Sequence, residues 1–92
     1  KSALSTYMKY AALELAGKGI RCNAVQPGRI NTPLISNRLL SEEDVTKDIE
    51  QYPMKRYGKP EEVAHAIIYL LSDASAWVTG TNLVIDGGRS LK

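Results

Sequence analysis

Apolar residues recur at helical spacing at the start of the chain and again in its last third. Two apolar stripes run along residues 1–17: Leu4, Met8, Ala11 and Leu15 on the first, and Ala3, Tyr7 and Tyr10 on the second. A helix that is apolar on two sides is expected to be covered on two sides, here by a sheet and a neighbouring subunit. A second strong helix is predicted to open at Pro60, since acidic residues follow in its first turn.

Two shorter apolar segments, residues 20–26 and 83–85, predict β-strands. The first strand leads into Pro27 and Gly28, which end it and allow the backbone to come close to a ligand. Ligands of open parallel sheets bind at the carboxyl ends of the strands. The turn at residues 27–32 is therefore predicted to form one wall of a small-molecule site.

The segment that follows this turn is predicted to form a lid over the site. It is irregular at first, and a short helix then begins at Ser41 and ends near Tyr52. The alternative interpretation is that this segment is an ordinary surface loop with no role at the site. The order helix, strand, lid helix, helix, strand indicates an α/β fold with a right-handed crossover between parallel strands.

Composition excludes several classes of function. Lys and Arg number 12 against 10 Asp and Glu, a net charge of +2 that is scattered along the chain, unlike that of a nucleic-acid-binding protein. No apolar run approaches the roughly 20 residues of a membrane span. Cys22 is the single cysteine and His65 the single histidine, too few soft ligands for a metal site. A single cysteine and no signal peptide favour a cytoplasmic protein.

The start of the chain indicates a fragment. Lys1 already lies inside the helical pattern, with no capping residue before it. Two strands are also too few for a stable sheet. We therefore expect residues 1–92 to be the C-terminal fragment of a larger single domain.

Four stretches of the sequence carry a family resemblance. They are KSAL at 1–4 with LELA at 13–16, GIRCNAVQPG at 19–28, GKPEEVA at 58–64, and VTG at 78–80 with DGG at 86–88. Together they resemble the C-terminal part of a short-chain dehydrogenase/reductase, in particular the 3-oxoacyl-carrier-protein reductase-like branch. The resemblance implies the C-terminal portion of a Rossmann-type, doubly wound parallel sheet.

The resemblance also implies roles for individual residues. Lys1 falls on the lysine of the family's Tyr-x-x-x-Lys pair, which is catalytic and also holds the nicotinamide ribose. The other implied site residues lie in or just after the turn: Pro27, Gly28, Ile30 and Thr32 on the cofactor side, and Arg29 and Leu34 on the substrate side. Within the turn, the Ile30 backbone and the Thr32 hydroxyl would bind the nicotinamide carboxamide. No metal is implied.

For the parent protein, the resemblance implies hydride transfer between NAD or NADP and a small-molecule carbonyl or secondary alcohol. It also implies a dimer or tetramer. The isolated chain is expected to be inactive and to bind no cofactor, since the family's tyrosine and serine lie outside it. The alternative function is that of a non-catalytic oligomerisation or scaffold module. The chain could also have arisen as a proteolytic remnant of the enzyme.

Overall fold

Three α-helices and a two-stranded sheet form the main secondary structure of the residues that the structure describes. The structure is a computed structural model, and it describes residues 3–32 and 41–92; Lys1 and Leu34 lie outside the described residues. The helices are α1 (Ala3–Ala16), α2 (Glu42–Glu50) and α3 (Pro60–Leu71), and the strands are β1 (Ala24–Pro27) and β2 (Asn82–Ile85). Single-turn 3-10 helices span Asp73–Ser75 and Arg89–Leu91. The two strands pair in parallel, which confirms the α/β prediction.

Local signals placed the helix boundaries correctly. The Ser41 hydroxyl accepts a hydrogen bond from the Asp44 N–H at 3.1 Å and caps α2, whose first turn is acidic. Helix α3 begins at Pro60, where the missing N–H costs no helical hydrogen bond. After α1, Gly19 adopts a left-handed conformation with φ 73° and ends the helical segment.

The first strand is shorter than the predicted residues 20–26, and this prediction was wrong. Strand β1 begins at Ala24 and extends to Pro27. Side chains replace part of the ladder before it: the Cys22 N–H donates to the Thr79 hydroxyl at 3.1 Å, and the Asn23 amide donates to the Val78 carbonyl at 3.0 Å. Proline is tolerated at the end of the strand because it needs no N–H there.

The chain divides into two compact units, Lys1–Gln26 with His65–Leu83 and Pro27–Ala64 with Val84–Lys92. In the first unit, Met8 and Ala12 of α1 are buried, at 7% and 3% exposure. In the second unit, Tyr52 is buried at 8%. Several apolar α1 side chains are 69–78% exposed in the single chain: Leu4, Tyr7, Tyr10 and Leu13. Their cover by a neighbouring subunit stays a prediction.

A network around Arg21 organises the first unit. Its Nη1 donates to the Leu70 carbonyl at 2.9 Å and to the Ser75 hydroxyl at 2.8 Å, and Nη2 donates to the Ser72 carbonyl at 3.2 Å. Ser75 is fully buried, and its hydroxyl donates back to the Leu70 carbonyl at 2.9 Å. The guanidinium thus satisfies carbonyls at the end of α3, where the helix dipole favours a cation.

Replacing Arg21 with methionine is expected to lower the free energy of unfolding by about 2–3 kcal/mol. The substitution keeps much of the apolar stem but leaves the α3 carbonyls and the buried Ser75 hydroxyl without their charged donor. Urea unfolding measures the change. Lys18→Met removes an exposed cation from the same unit and serves as the control. An equal loss for the two variants would show that the network does not stabilise the fold.

Candidate functional site

The turn at residues 27–32 lies at the carboxyl end of β1, where the sequence predicted a site. The Gly28 N–H donates to the Ile85 carbonyl at 2.9 Å, so the turn starts directly from the pairing with β2. A Cβ atom built on Gly28 would lie 3.0 Å from the Asp86 Cβ and 3.1 Å from the Asp86 Cα. Close packing therefore disfavours any larger residue at this position.

A short parallel bridge to Gly58 fixes the middle of the turn. The Gly58 N–H donates to the Arg29 carbonyl at 3.0 Å, and the Asn31 N–H donates to the Gly58 carbonyl at 2.8 Å. A Cβ atom on Gly58 would lie 2.8 Å from the Ile30 Cδ1, so the two segments approach closely. No local pattern in the sequence predicts this bridge, since Gly58 is distant from Ile30 in the chain.

The bridge also orients the backbone of Ile30. In a parallel bridge, hydrogen bonds to one residue come from the two neighbours of its partner, so the partner's own N–H and carbonyl point the other way. The N–H and carbonyl of Ile30 therefore point away from Gly58. A primary carboxamide needs one donor and one acceptor, and this pair of groups fits it. Thr32 is half-buried two residues further on.

Arg29 belongs to a cluster with Asp48 of α2 and Tyr57. Its Nη1 contacts the Asp48 Oδ2 at 2.7 Å, and the guanidinium carbon lies 6.0 Å from the centre of the Tyr57 ring. The Tyr57 hydroxyl donates to the same Asp48 oxygen at 2.6 Å. Burial and this hydrogen bond raise the pKa of Tyr57 above its ordinary value, which keeps the phenol protonated as a donor.

A cavity of about 300 Å³ lies within the second unit. Its apolar lining comes from Ile30, Tyr52, Met54, Val84 and Ile85. Among the described residues, its charged lining side chains are Arg29, Arg56, Glu62 and Asp86. The Gly88 and Ser90 N–H groups donate to the Asp86 carboxylate at 3.0 and 2.9 Å. Desolvation acts to raise the pKa of Asp86, but hydrogen bonds from Ser90, Gly88 and Arg89 outweigh it and lower the value.

Arg56 and Glu62 form a bidentate ion pair at this cavity. The guanidinium donates to both carboxylate oxygens, at 2.7 and 2.8 Å, and the Lys59 N–H donates to Glu62 at 2.8 Å. The hydrogen bonds from Arg56, and then the one from Lys59, lower the pKa of Glu62 from 4.5 to about 2.

This depressed pKa predicts an acid-dependent contribution to stability. A carboxylate with a lower pKa in the folded state stabilises it above the unfolded-state pKa, and the contribution disappears as pH falls from 4.5 to about 2. Glu62→Gln is therefore expected to lose less unfolding free energy than the unmodified protein across this interval. Urea unfolding at a series of pH values measures the free energy of unfolding of each variant across this interval. Glu61→Gln, an exposed neighbour in the same turn, should keep the unmodified pH dependence, and identical curves for the two variants would contradict the prediction.

The structure brings some of the predicted site residues together and leaves others outside its description. Arg29 and Ile30 line the same cavity, and Gly28 packs against Asp86. Sequence reasoning missed Asp48, Tyr57 and Gly58, because their partners lie many residues away. Cys22 is half-buried with a free thiol, and His65 is exposed. Among the described residues, no helix is long and apolar enough to cross a membrane.

Comparisons with known proteins identify the family. Residues 1–90 match the family model described as enoyl-(acyl carrier protein) reductase. The chain is 44% identical over 92 residues to cyclohexanol dehydrogenase of Acinetobacter sp. (strain SE19), covering 100% of this chain and 35% of that protein. It is 46% identical over 88 residues to a 3-oxoacyl-[acyl-carrier-protein] reductase of Thermotoga maritima, covering 96% of this chain and 35% of that protein. The chain belongs to the short-chain dehydrogenase/reductase family.

Solved structures of short-chain dehydrogenases/reductases share its fold. One of them, 4-hydroxyisoleucine dehydrogenase complexed with NADH, superposes with a TM-score of 0.90 at 31% identity and covers 98% of this chain and 37% of that one. The predicted Rossmann-type architecture is thereby confirmed. The chain spans little more than a third of the length of these relatives.

Proposed function

We propose that the protein containing this chain interconverts a carbonyl and a secondary alcohol by hydride transfer with NAD or NADP, and that the turn at residues 27–32 binds the nicotinamide end. The orientation of the Ile30 backbone carries this proposal. Its N–H and carbonyl point away from the bridge to Gly58, in the segment that matches the family's carboxamide-binding turn. Membership of an oxidoreductase family supports the reaction class.

Each residue of the turn has a role in this proposal. The Ile30 backbone and the Thr32 hydroxyl bind the carboxamide and orient the nicotinamide ring, while Pro27 and Gly28 let the backbone come close. The bound cofactor supplies or accepts the hydride. Arg29 and Leu34 are assigned to the substrate side.

Lys1 has the catalytic role. Its ammonium favours the phenolate form of the tyrosine that the family places four residues earlier on the same helix face. The phenol then exchanges a proton with the substrate oxygen near working pH. The same ammonium holds the nicotinamide ribose.

The remaining partners follow from the same proposal. The substrate is a small-molecule alcohol or carbonyl, and we take the 3-oxoacyl-carrier-protein reductase-like branch as the model for it. The exposed apolar residues of α1 favour a dimer or tetramer, because a second copy can cover them. We place the protein in the cytoplasm.

An assay of the whole protein tests the reaction. Purified protein is mixed with NADH or NADPH and a panel of ketones and 3-oxoacyl thioesters, and cofactor oxidation is followed by absorbance. Oxidation that depends on the carbonyl supports the enzyme. Its absence with every substrate, together with no cofactor binding, would favour the non-catalytic scaffold. The 92-residue chain alone is expected to be inactive and to bind no cofactor. Carbonyl-dependent cofactor oxidation by the isolated chain would contradict this expectation.

A further inference from the structure

We infer that Asp48 is a specificity-determining residue: by pairing with Arg29 it makes the site select substrates that carry no negatively charged group. The inference rests on the proposed function, because it places Arg29 on the substrate side. An unpaired arginine at a substrate site recognises carboxylates and phosphates. The state of the Arg29 cation therefore decides which substrates the site prefers.

The Arg29 guanidinium is already paired with a carboxylate in the structure. Asp48 holds it at 2.7 Å, and the Tyr57 hydroxyl donates a 2.6 Å hydrogen bond to the same Asp48 oxygen. The Tyr57 ring also lies against the guanidinium. The Arg29 side chain is 43% exposed, so a ligand could reach it, but an anion would have to displace a carboxylate that is already fixed in place.

The other charges at the cavity act in the same direction. Arg56 is held by both oxygens of Glu62, so neither arginine of the lining offers an unpaired positive charge. Asp86 is stabilised by N–H groups and keeps its negative charge. The described lining is therefore neutral to slightly negative, which disfavours an anionic ligand and accepts a polar, uncharged one.

A matched pair of variants tests the inference in the whole protein. Asp48→Asn frees Arg29 while changing the net charge by one. Glu43→Gln makes the same change of charge on the same helix, at a residue paired only with Lys47 at 3.5 Å among the ion pairs described. The measurement is the ratio of kcat/KM for 4-oxocyclohexanecarboxylate to kcat/KM for cyclohexanone. We expect Asp48→Asn to raise this ratio about tenfold or more, as one charged hydrogen bond allows, and Glu43→Gln to leave it unchanged.

A second substitution shows whether Arg29 carries the effect. Adding Arg29→Met to Asp48→Asn is expected to return the ratio to its original value. An unchanged ratio in Asp48→Asn, or a gain that survives Arg29→Met, would overturn the inference.

Anion binding supplies a readout that is independent of turnover. Titration with benzoate, followed by NMR of the arginine side-chain N–H groups, should shift the Arg29 signal in Asp48→Asn and leave it in place in the unmodified protein. Absence of that shift would contradict the inference even in an active enzyme. If no ketone is reduced but the benzoate shift appears, the proposed reaction fails while the role of Asp48 in blocking anions stands.

Discussion

Replacing Lys1 with methionine in the whole protein is expected to lower kcat about 10²- to 10⁴-fold, the range of general acid–base catalysis. If the proposed role of Lys1 holds, loss of the ammonium should raise the pKa of the partner phenol, since a neighbouring cation no longer favours the phenolate. In the direction of alcohol oxidation, which needs the phenolate as base, the rising limb of the pH–rate profile should therefore move to higher pH. The KM for the cofactor should also rise, because the ribose loses a donor.

Lys9→Met is the matched control for this prediction. Lys9 is an exposed lysine of α1. The Lys9→Met substitution should leave kcat and the pH–rate profile unchanged. A drop in kcat for Lys1→Met without any movement of the pH profile would contradict a role in lowering the phenol pKa. Full activity of that variant would remove Lys1 from the catalytic site altogether.

The parts of the fold that the sequence predicted correctly depend on local chemistry. The hydroxyl of Ser41 and the ring of Pro60 act on backbone groups within one helical turn, so their effect can be read from neighbouring residues. The left-handed Gly19 after α1 is of the same kind. Residues 20–23 were assigned wrongly to the strand because apolar alternation does not reveal bonds made by the side chains of Asn23 and Thr79.

The interactions that shape the candidate site are non-local. Arg21 lies within the stretch predicted as a strand, and its hydrogen-bond partners lie 49 to 57 residues away. Asp48 lies in the predicted short helix with no local signal for a role at the site, and only the folded chain brings it to Arg29, 19 residues earlier. The predicted turn was located from its Pro-Gly pair, but the direction of the Ile30 backbone depends on Gly58, which the sequence pattern does not connect to it.

Replacing Gly28 with valine is expected to lower the free energy of unfolding by about 3 kcal/mol, and Gly28→Ala by about 1–2 kcal/mol. A Cβ atom at this position meets the Asp86 Cβ at 3.0 Å and the Tyr52 Cε2 at 3.3 Å, and the Asp86 Cα at 3.1 Å belongs to the backbone and cannot rotate away. The turn or the end of β2 must move to make room. Urea unfolding measures the loss, and fluorescence titration with NADH of the whole protein measures its effect on the proposed site.

Gly17→Val separates this contact from the general effect of replacing glycine. No atom lies within 4 Å of a Cβ built on Gly17, so this variant should stay within about 0.5 kcal/mol of the unmodified protein. If Gly28→Val and Gly17→Val lose equal stability, the close packing of Gly28 against Asp86 does not hold the turn. If Gly28→Ala unfolds more easily but binds NADH with unchanged affinity, the packing is real and the turn does not contact the cofactor. We expect stability and NADH affinity to fall together, and to fall further in Gly28→Val than in Gly28→Ala. This is the result expected when one backbone segment both packs against β2 and binds the nicotinamide.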